Sequence, residues 1–422
     1  MRLLLCLYLL LCLLPAALPA QVPATSDDYR ADFDFLWETV RDDYAYFDLK
    51  QTDWNQVRAT YRPQLDTLRS RRAFVRLLEQ VLGELYDYHA GLNTNRLDSR
   101  RLVPTASDVY AEWVGNRARV LAVRPGYGAE RVGVRPGQEL TAVQGEPVAA
   151  ALQPWLPRCL RQPDPAARNF ALNELLAGDH RTPRQWEVAG LNGPRTVQPD
   201  VPVSQLEDIR YAGRLASIRY GKVGYIKLNN ILGDNKLIAR FDSVLTALAD
   251  TQGLILDLRE TPSGGNTTVA RAIMGRFISQ EGAYQRHELP SEERQTGIRR
   301  RWVELVSPRG PAYTRPLVVL AGRWTGSMGE GLAIGFDGLR RATVVGTALA
   351  RLHGAIYSYR LPHSGINFVI PAERLYHVNG QPREQYLPPV LLDPAAPLPA
   401  GPTADAGINR ALALLAGQGP KR

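Results

Sequence analysis

The chain has 422 residues, of which 45% are hydrophobic and 22% charged, with a formal charge of +9. That is room for two or three globular domains, and no internal repeat or long low-complexity tract interrupts it. Nearly all the positive charge is arginine; the lysines are Lys50, Lys222, Lys227, Lys236 and Lys421. The arginines are scattered apart from Arg299–Arg301, which argues against a nucleic-acid-binding face.

The first twenty residues, "MRLLLCLYLLLCLLPAALPA", carry one basic residue, an apolar run and then small residues with prolines. This is the pattern of a secretory signal peptide cleaved after Ala20. Pro15 and Pro19 break the run before it reaches a comfortable membrane span. Cys6 and Cys12 leave with the leader, so Cys159 has no partner within the chain and a disulfide framework is excluded.

From Asp27 to Leu85 the apolar residues recur at helical spacing: Phe33, Leu36 and Val40, then Phe74, Leu77, Leu78, Val81, Leu82 and Leu85. Thr52 or Asp53 is placed to cap the helix between these runs. Residues 21–102 are expected to form an N-terminal helical domain. After Val103 the texture changes to short strands punctuated by Gly and Pro, as in "VLAVRPG" and "AERVGVRPGQELTAVQGEPV". That stretch resembles a PDZ domain, and residues 103–160 are expected to be a PDZ-like β module. Gln138 stands where many such domains have aspartate, and the chain has no Gly-Leu-Gly-Phe loop for a ligand carboxylate.

From residue 161 to 402 strands and helices alternate. "GKVGYIKL", "GLILDLR", "RPLVVLAG" and "ATVVGT" read as core strands, and "NKLIARFDSVLTALAD", "NTTVARAIMGRFI" and "EGLAIGFDGL" as helices. Continuous apolar strands between helices argue for an α/β layer with parallel pairing. "AIYSYRLPHSGINFVIPAERLYHV" reads as hairpins laid against that layer, and 403–422 as a closing helix and tail.

In α/β layers, sites gather at the carboxyl ends of the strands. Two such ends carry chemistry. "DLRETPSGGNT" ends in Gly264 and Gly265, which let the backbone approach a ligand, ahead of a helix N-terminus that favours negative charge. The Gly-Lys-Ser/Thr ending of a P-loop is missing, so an oxyanion hole suits it better than a phosphate cradle. In "VVLAGRWTGSMGEGLAIGF", Ser327 follows a strand and opens a helix. Alone it reads as an N-cap, because serine is a favoured cap and position 325 is Thr rather than the first Gly of a Gly-x-Ser-x-Gly elbow.

The combination resembles the superfamily of C-terminal processing peptidases, tricorn core proteases and interphotoreceptor retinoid-binding protein. The matching parts are "LLEQVLGELYDYHAGL", the PDZ-like stretch, "GLILDLRETPSGGN", "PLVVLAGRWTGSMGEG" and "NGQPREQYLPPVLLD", in the family order. The resemblance implies a crotonase-like (ClpP-type) α/β catalytic core. It further implies Ser327 as nucleophile and the amides of Gly264 and Met328 as oxyanion hole, with Gly265 beside them.

One branch of that superfamily uses a lysine base shortly after the serine. Here no lysine lies between Lys236 and Lys421, and the matching segment, "GTALARLHGA", offers Arg351, which stays protonated, and His353. The other, tricorn-like branch uses a histidine at the end of the helical domain and a late glutamate, which map to His89 and Glu384. A hydroxyl residue precedes that histidine in the branch; here it is Tyr88, whose phenol could bridge, or Glu384 could act through water or another hydroxyl. His353 and His363 are the alternative bases, and Glu330, one turn after Ser327, is expected to brace nearby amides or arginines. An unperturbed imidazole would give an acid limb near about pH 6.5.

The expected protein is therefore an exported serine peptidase of the periplasm, cell envelope or exterior. It would need no cofactor or metal and would take a peptide or protein substrate, with entry by the substrate's C-terminus one form of that. A non-catalytic binder of peptide or apolar ligand on the same scaffold, and an esterase or amidase, are the alternatives.

Overall fold

The computed structural model describes residues 26–94, 96–190, 193–200, 214–395 and 402–417. The leader expected at 1–20 lies outside them. Helices Ser26–Asp43 (α1), Trp54–Tyr61 (α2) and Arg71–Gly83 (α3) form the N-terminal helical region. α1 buries Phe33, Leu36, Trp37 and Val40, and α3 buries Phe74, Leu77, Leu78, Val81 and Leu82. Spacings of three and four put each set on one helix face. Asp53 caps α2 by accepting the Asn55 and Gln56 amides, and Ser70 caps α3 through the Ala73 amide. The chain then turns through Tyr86–Ala90 into a two-residue strand, Gly91–Leu92 (β1).

A second sheet follows: Val109–Val114 (β2), Arg117–Val123 (β3) and Glu139–Val143 (β4), extended by Trp186–Gly190 (β5) and Gly193–Val197 (β6). Its antiparallel order is β2-β3-β4-β5-β6. Helix Pro165–Ala177 (α4) packs Ala171, Leu172, Leu175 and Leu176 against Trp186 and Val188 of this same sheet. The β module therefore runs to Val197, not to residue 160 as its Gly/Pro texture suggested. The reason is pairing: β5 completes the module by lying on β4, with Val188 opposite Leu140.

The α/β core is built from Leu215–Tyr220 (β7), Val223–Asn229 (β8), Leu237–Ala247 (α5), Gly253–Glu260 (β9) and Thr267–Met274 (α6). Gly282–Glu288 (β10) and Arg301–Val306 (β11) form an excursion, followed by Leu317–Ala321 (β12), Met328–Gly338 (α7) and Thr343–Gly346 (β13). A hairpin of Ala355–Arg360 (β14) and Asn367–Tyr376 (β15), the short strand Val390–Leu391 (β16) and helix Ala406–Gly417 (α8) close the chain. The six-stranded central sheet has the order β16-β13-β12-β9-β8-β7, and only β7 runs antiparallel to its neighbour.

Leu254, Leu256, Leu258 and Val319 face α5, α6 and α7, while Ile255, Val318 and Leu320 face Ile408, Ala411 and Leu415 of α8. Burial on both faces is why these strands are apolar without alternation. The parallel order stacks the carboxyl ends of β9, β12 and β13 side by side. Their loops, 261–266, 322–327 and 347–354, share one edge of the sheet.

The β14–β15 hairpin lies elsewhere than expected. Leu361, Ile366, Phe368 and Ile370 are buried in the core of the N-terminal helices, and β1 pairs with β15 at Gly91–Val369 and Leu92–Phe368. The helical region thus has no private core. Phe368→Ala is expected to cost about 3–5 kcal/mol and to loosen α1 and α3 together with the hairpin. Limited proteolysis of that variant would report cleavage in both segments; cleavage confined to the hairpin would show the helices to be independent.

Candidate active site

Ser327 is the one partly exposed residue between Ala321 and Phe336, the rest of which is buried. Its backbone has φ +51° and ψ −114°. An ordinary N-cap is extended, whereas a left-handed non-glycine residue is strained and held there by its surroundings. A parallel bridge between Thr261 and Thr325 continues the β9–β12 pairing into the loops. Thr261 donates its amide to the Trp324 carbonyl at 3.0 Å and accepts the Gly326 amide at 3.2 Å. Thr325 Oγ1 donates to the Leu258 carbonyl and accepts the Gly322 amide, each at 2.9 Å. These bonds leave the turn before Ser327 little freedom.

Gly264 lies directly against this turn. A side chain there would sit 2.4 Å from Ser327 Cβ and 2.8 Å from the Met328 nitrogen, at a backbone φ of +64°. The amide of Gly264 is not an open donor: it bonds to the Thr261 carbonyl at 3.0 Å, closing a tight turn. This corrects the expectation drawn from the Gly-Gly motif. Gly264 contributes the absence of a side chain, while the following residue, Gly265, is exposed. The Met328 amide opens α7, where an amide has no partner within its own helix.

Glu330 is fully buried beneath Ser327. Its Oε2 accepts the Ser327 amide and its Oε1 the Arg351 amide, both at 2.8 Å. Burial pushes its carboxyl up to about 7, against the opposing pull of Arg383, 3.8 Å away, and of the backbone amides. Arg383, also buried, donates to the carbonyls of Leu352 (3.1 Å) and Gly354 (2.8 Å). Loop 347–354 is thereby fastened to the base of α7.

The same loop reaches His89. Nδ1 of His89 meets the His353 carbonyl at 2.6 Å. A carbonyl only accepts, so Nδ1 carries the proton and Nε2 keeps a lone pair. The His89 ring is enclosed by protein, although part of the residue still reaches solvent, and burial lowers its pKa to about 4. Asp87, two residues earlier, accepts the His89 amide on Oδ1 at 2.9 Å, and its Oδ2 meets Tyr44 Oη at 2.8 Å and His353 Nδ1 at 2.9 Å.

Three expectations are not met. Tyr88 does not bridge to a carboxylate; its phenol reaches the Phe170 carbonyl at 3.4 Å and its ring packs on Phe170 at 4.7 Å, facing α4. Among the hydrogen bonds of the described residues Glu384 makes none directly to His89, whose Nδ1 is already taken by His353. Glu384 Oε2 is buried without a partner, as is the hydroxyl of Tyr46, whose phenol is pushed up by burial and then by the Glu384 charge. His363 lies apart, paired with Asp28 at 3.1 Å. Asp87 and His353 form the carboxylate–imidazole pair that the motifs did not single out; the "DYH" spacing was the available signal. Among the hydrogen bonds of the described residues, none joins Ser327 Oγ to either imidazole.

Gly264→Ala is expected to displace Ser327 and to slow its reaction with a fluorophosphonate by about 100-fold, the usual cost of misplacing a reacting group by an ångström. The far-ultraviolet circular dichroism should be unchanged. Glu330→Gln leaves one oxygen for two amides and is expected to cost about 1–3 kcal/mol, read as a lowered urea midpoint.

With the geometry in place, comparison with known proteins is informative. Residues 25–83 match the tricorn protease C1 domain and residues 222–389 match peptidase family S41. The chain is 27% identical over 328 residues to putative tricorn protease homolog 2 of Streptomyces coelicolor, covering 70% of this chain and 24% of that protein. It is 25% identical over 344 residues to tricorn protease homolog 1 of the same organism, covering 76% and 28%. The chain therefore spans about a quarter of the length of these relatives. In fold it resembles mature CPAF, with a TM-score of 0.59 at 16% identity, covering 94% of this chain and 99% of that one. It also resembles the photosystem II D1 C-terminal processing protease, with a TM-score of 0.55 at 20% identity, covering 92% and 98%. The chain thus carries a segment of peptidase family S41, a family of serine-type peptidases, at residues 222–389 and a tricorn protease C1 segment at residues 25–83.

Proposed function

We propose that the protein is an exported serine peptidase that cleaves peptide bonds through an acyl-enzyme on Ser327, with His89 as general base. The observation that carries this reading is the strained, partly exposed Ser327 at the end of β12, pressed against a glycine and followed by an amide free of its own helix. Export rests on the leader pattern of residues 1–20. The antiparallel module of β2–β6 is assigned as PDZ-like, and the six-stranded central sheet with its helices as a crotonase-like core.

In the reaction, Ser327 Oγ attacks the substrate carbonyl as His89 Nε2 takes its proton. The oxyanion forms at the Met328 amide, with the amide of Gly265, the exposed residue that follows Gly264, as the second donor. Collapse breaks the C–N bond, and the leaving amine takes the proton from His89. Water then attacks the acyl ester, losing a proton to His89, and Ser327 recovers its hydrogen as the acid leaves. Each oxyanion donor is worth roughly 3–4 kcal/mol of barrier.

The test is labelling with a fluorophosphonate, mapped by mass spectrometry. Label is expected on Ser327 and lost in His89→Ala. No label on the folded protein would favour a non-catalytic binding protein, and turnover of esters but not peptides would favour an esterase. Because the base works unprotonated and burial lowers the His89 pKa to about 4, the labelling rate should rise with pH through about 4 and then stay level. An acid limb near about 6.5, where an unperturbed imidazole titrates, would show the ring to be solvated in the working state.

A further inference from the structure

The contacts around His89 form a closed circuit. Its ring is held by a backbone carbonyl, that of His353, at 2.6 Å. This carbonyl sits on an irregular loop, between Arg351 at φ +60° and Gly354 at φ +45°. No ladder or helix fixes it. What fixes it is the His353 ring, bound to Asp87 Oδ2 at 2.9 Å and packed on the Tyr46 ring at 4.5 Å, together with Arg383 on the carbonyls either side and Glu330 on the Arg351 amide. Asp87 in turn holds the main chain of His89 at 2.9 Å. One carboxylate thus fixes both the backbone that carries the His89 ring and the carbonyl that orients it.

Asp87 is suited to this. Its side chain is 1% exposed. Burial alone would favour the neutral acid, but His353, Lys50 and the His89 amide hold it well below the usual carboxylate range. Lys50 is itself buried, its ammonium 3.2 Å from the Tyr86 carbonyl and 4.4 Å from the Tyr86 ring centroid. The remaining contact on Oδ2 is the Tyr44 phenol at 2.8 Å. Besides Asp87, Arg383 and the His353 ring act on the His89 ring, both disfavouring imidazolium. Glu384, the carboxylate that the sequence pattern offers for this task, leaves Oε2 unpartnered.

We propose that Asp87 and His353 are the positioning residues of the general base: Asp87 anchors the His353 ring, and the His353 carbonyl fixes the Nδ1–H tautomer and the orientation of His89. This rests on His89 being the base that serves Ser327. Neither residue touches substrate; both act through His89. The carbonyl is the main-chain atom of His353, so a side-chain substitution there keeps the acceptor and removes only its anchor.

The experiment measures the second-order rate of fluorophosphonate labelling of Ser327 from pH 4 to 9 in the wild type, Asp87→Asn, His353→Ala, His353→Asn and His89→Ala. Asp87→Asn and His353→Ala are expected to lose about 100-fold or more, the lower range for general-base catalysis. His353→Asn, whose amide can still donate to Asp87, should recover at least about tenfold of that loss, a rescue that a merely structural role would not give. Wild-type rates and pH profile in folded Asp87→Asn would overturn the proposal, as would equal losses in His353→Ala and His353→Asn. Should Asp87→Asn fail to fold, the two His353 variants decide. Should His89→Ala label at the wild-type rate while both His353 variants are silent, His353 is itself the base and the proposal fails with the assignment of His89. Label absent from the wild type as well would instead remove the peptidase reading.

Discussion

The buried Glu330 carboxylate joins the two halves of the site. It takes the amide of Ser327 with one oxygen and that of Arg351 with the other, so the strained serine and loop 347–354 are held by one group. Such a carboxylate must be fully satisfied, because an unpaired acceptor in that setting costs more than the net gain from any single bond. Arg383 completes the arrangement from the far side and grips the same loop by two carbonyls. Through that loop the constraint passes to His353 and so to His89. The strained Ser327 at the end of a core strand and the His89 imidazole of the helical region are thus linked through a short chain of polar contacts.

The β module is tied to the same edge of the sheet. Arg124, at the end of β3, is buried and pairs with Glu260, the last residue of β9, at 2.8 Å. Trp324, three residues before Ser327, donates its indole N–H to the Ser107 carbonyl at 3.0 Å. Ser263 contacts Thr105 and Asn230, so the loop carrying Gly264 is held by both the module and the core. The module therefore touches both turns that form the site.

Much of the fold was legible in the sequence, for a physical reason. Strands buried on both faces cannot alternate, so "GLILDLR" and "PLVVLAG" stand out as unbroken apolar runs. The helix stripes of α1 and α3 are equally plain. What could not be read was partnership across distance. "WEVAGLNGPRTV" carries an Asn-Gly hairpin signal, but only the pairing of β5 with β4 assigns it to the β module. At the site, Ser327 and Gly264 were marked by motif, while the use of Gly264's amide in a turn depends on φ, which the motif does not state. The pairing of Asp87 with His353 joins residues far apart in the chain. Spacing within "DYH" offers a carboxylate but cannot say which ring it holds.

The pairing of β1 with β15 has a consequence for synthesis. The segment carrying His89 is anchored just beyond it by Gly91 and Leu92, whose partners are Val369 and Phe368. A chain ending before those residues keeps the contacts of Asp87 and His353 with His89 but lacks the strand pairing that secures the segment just beyond it. The helical region and the strand that secures it are thereby joined only after residue 369 has been synthesised.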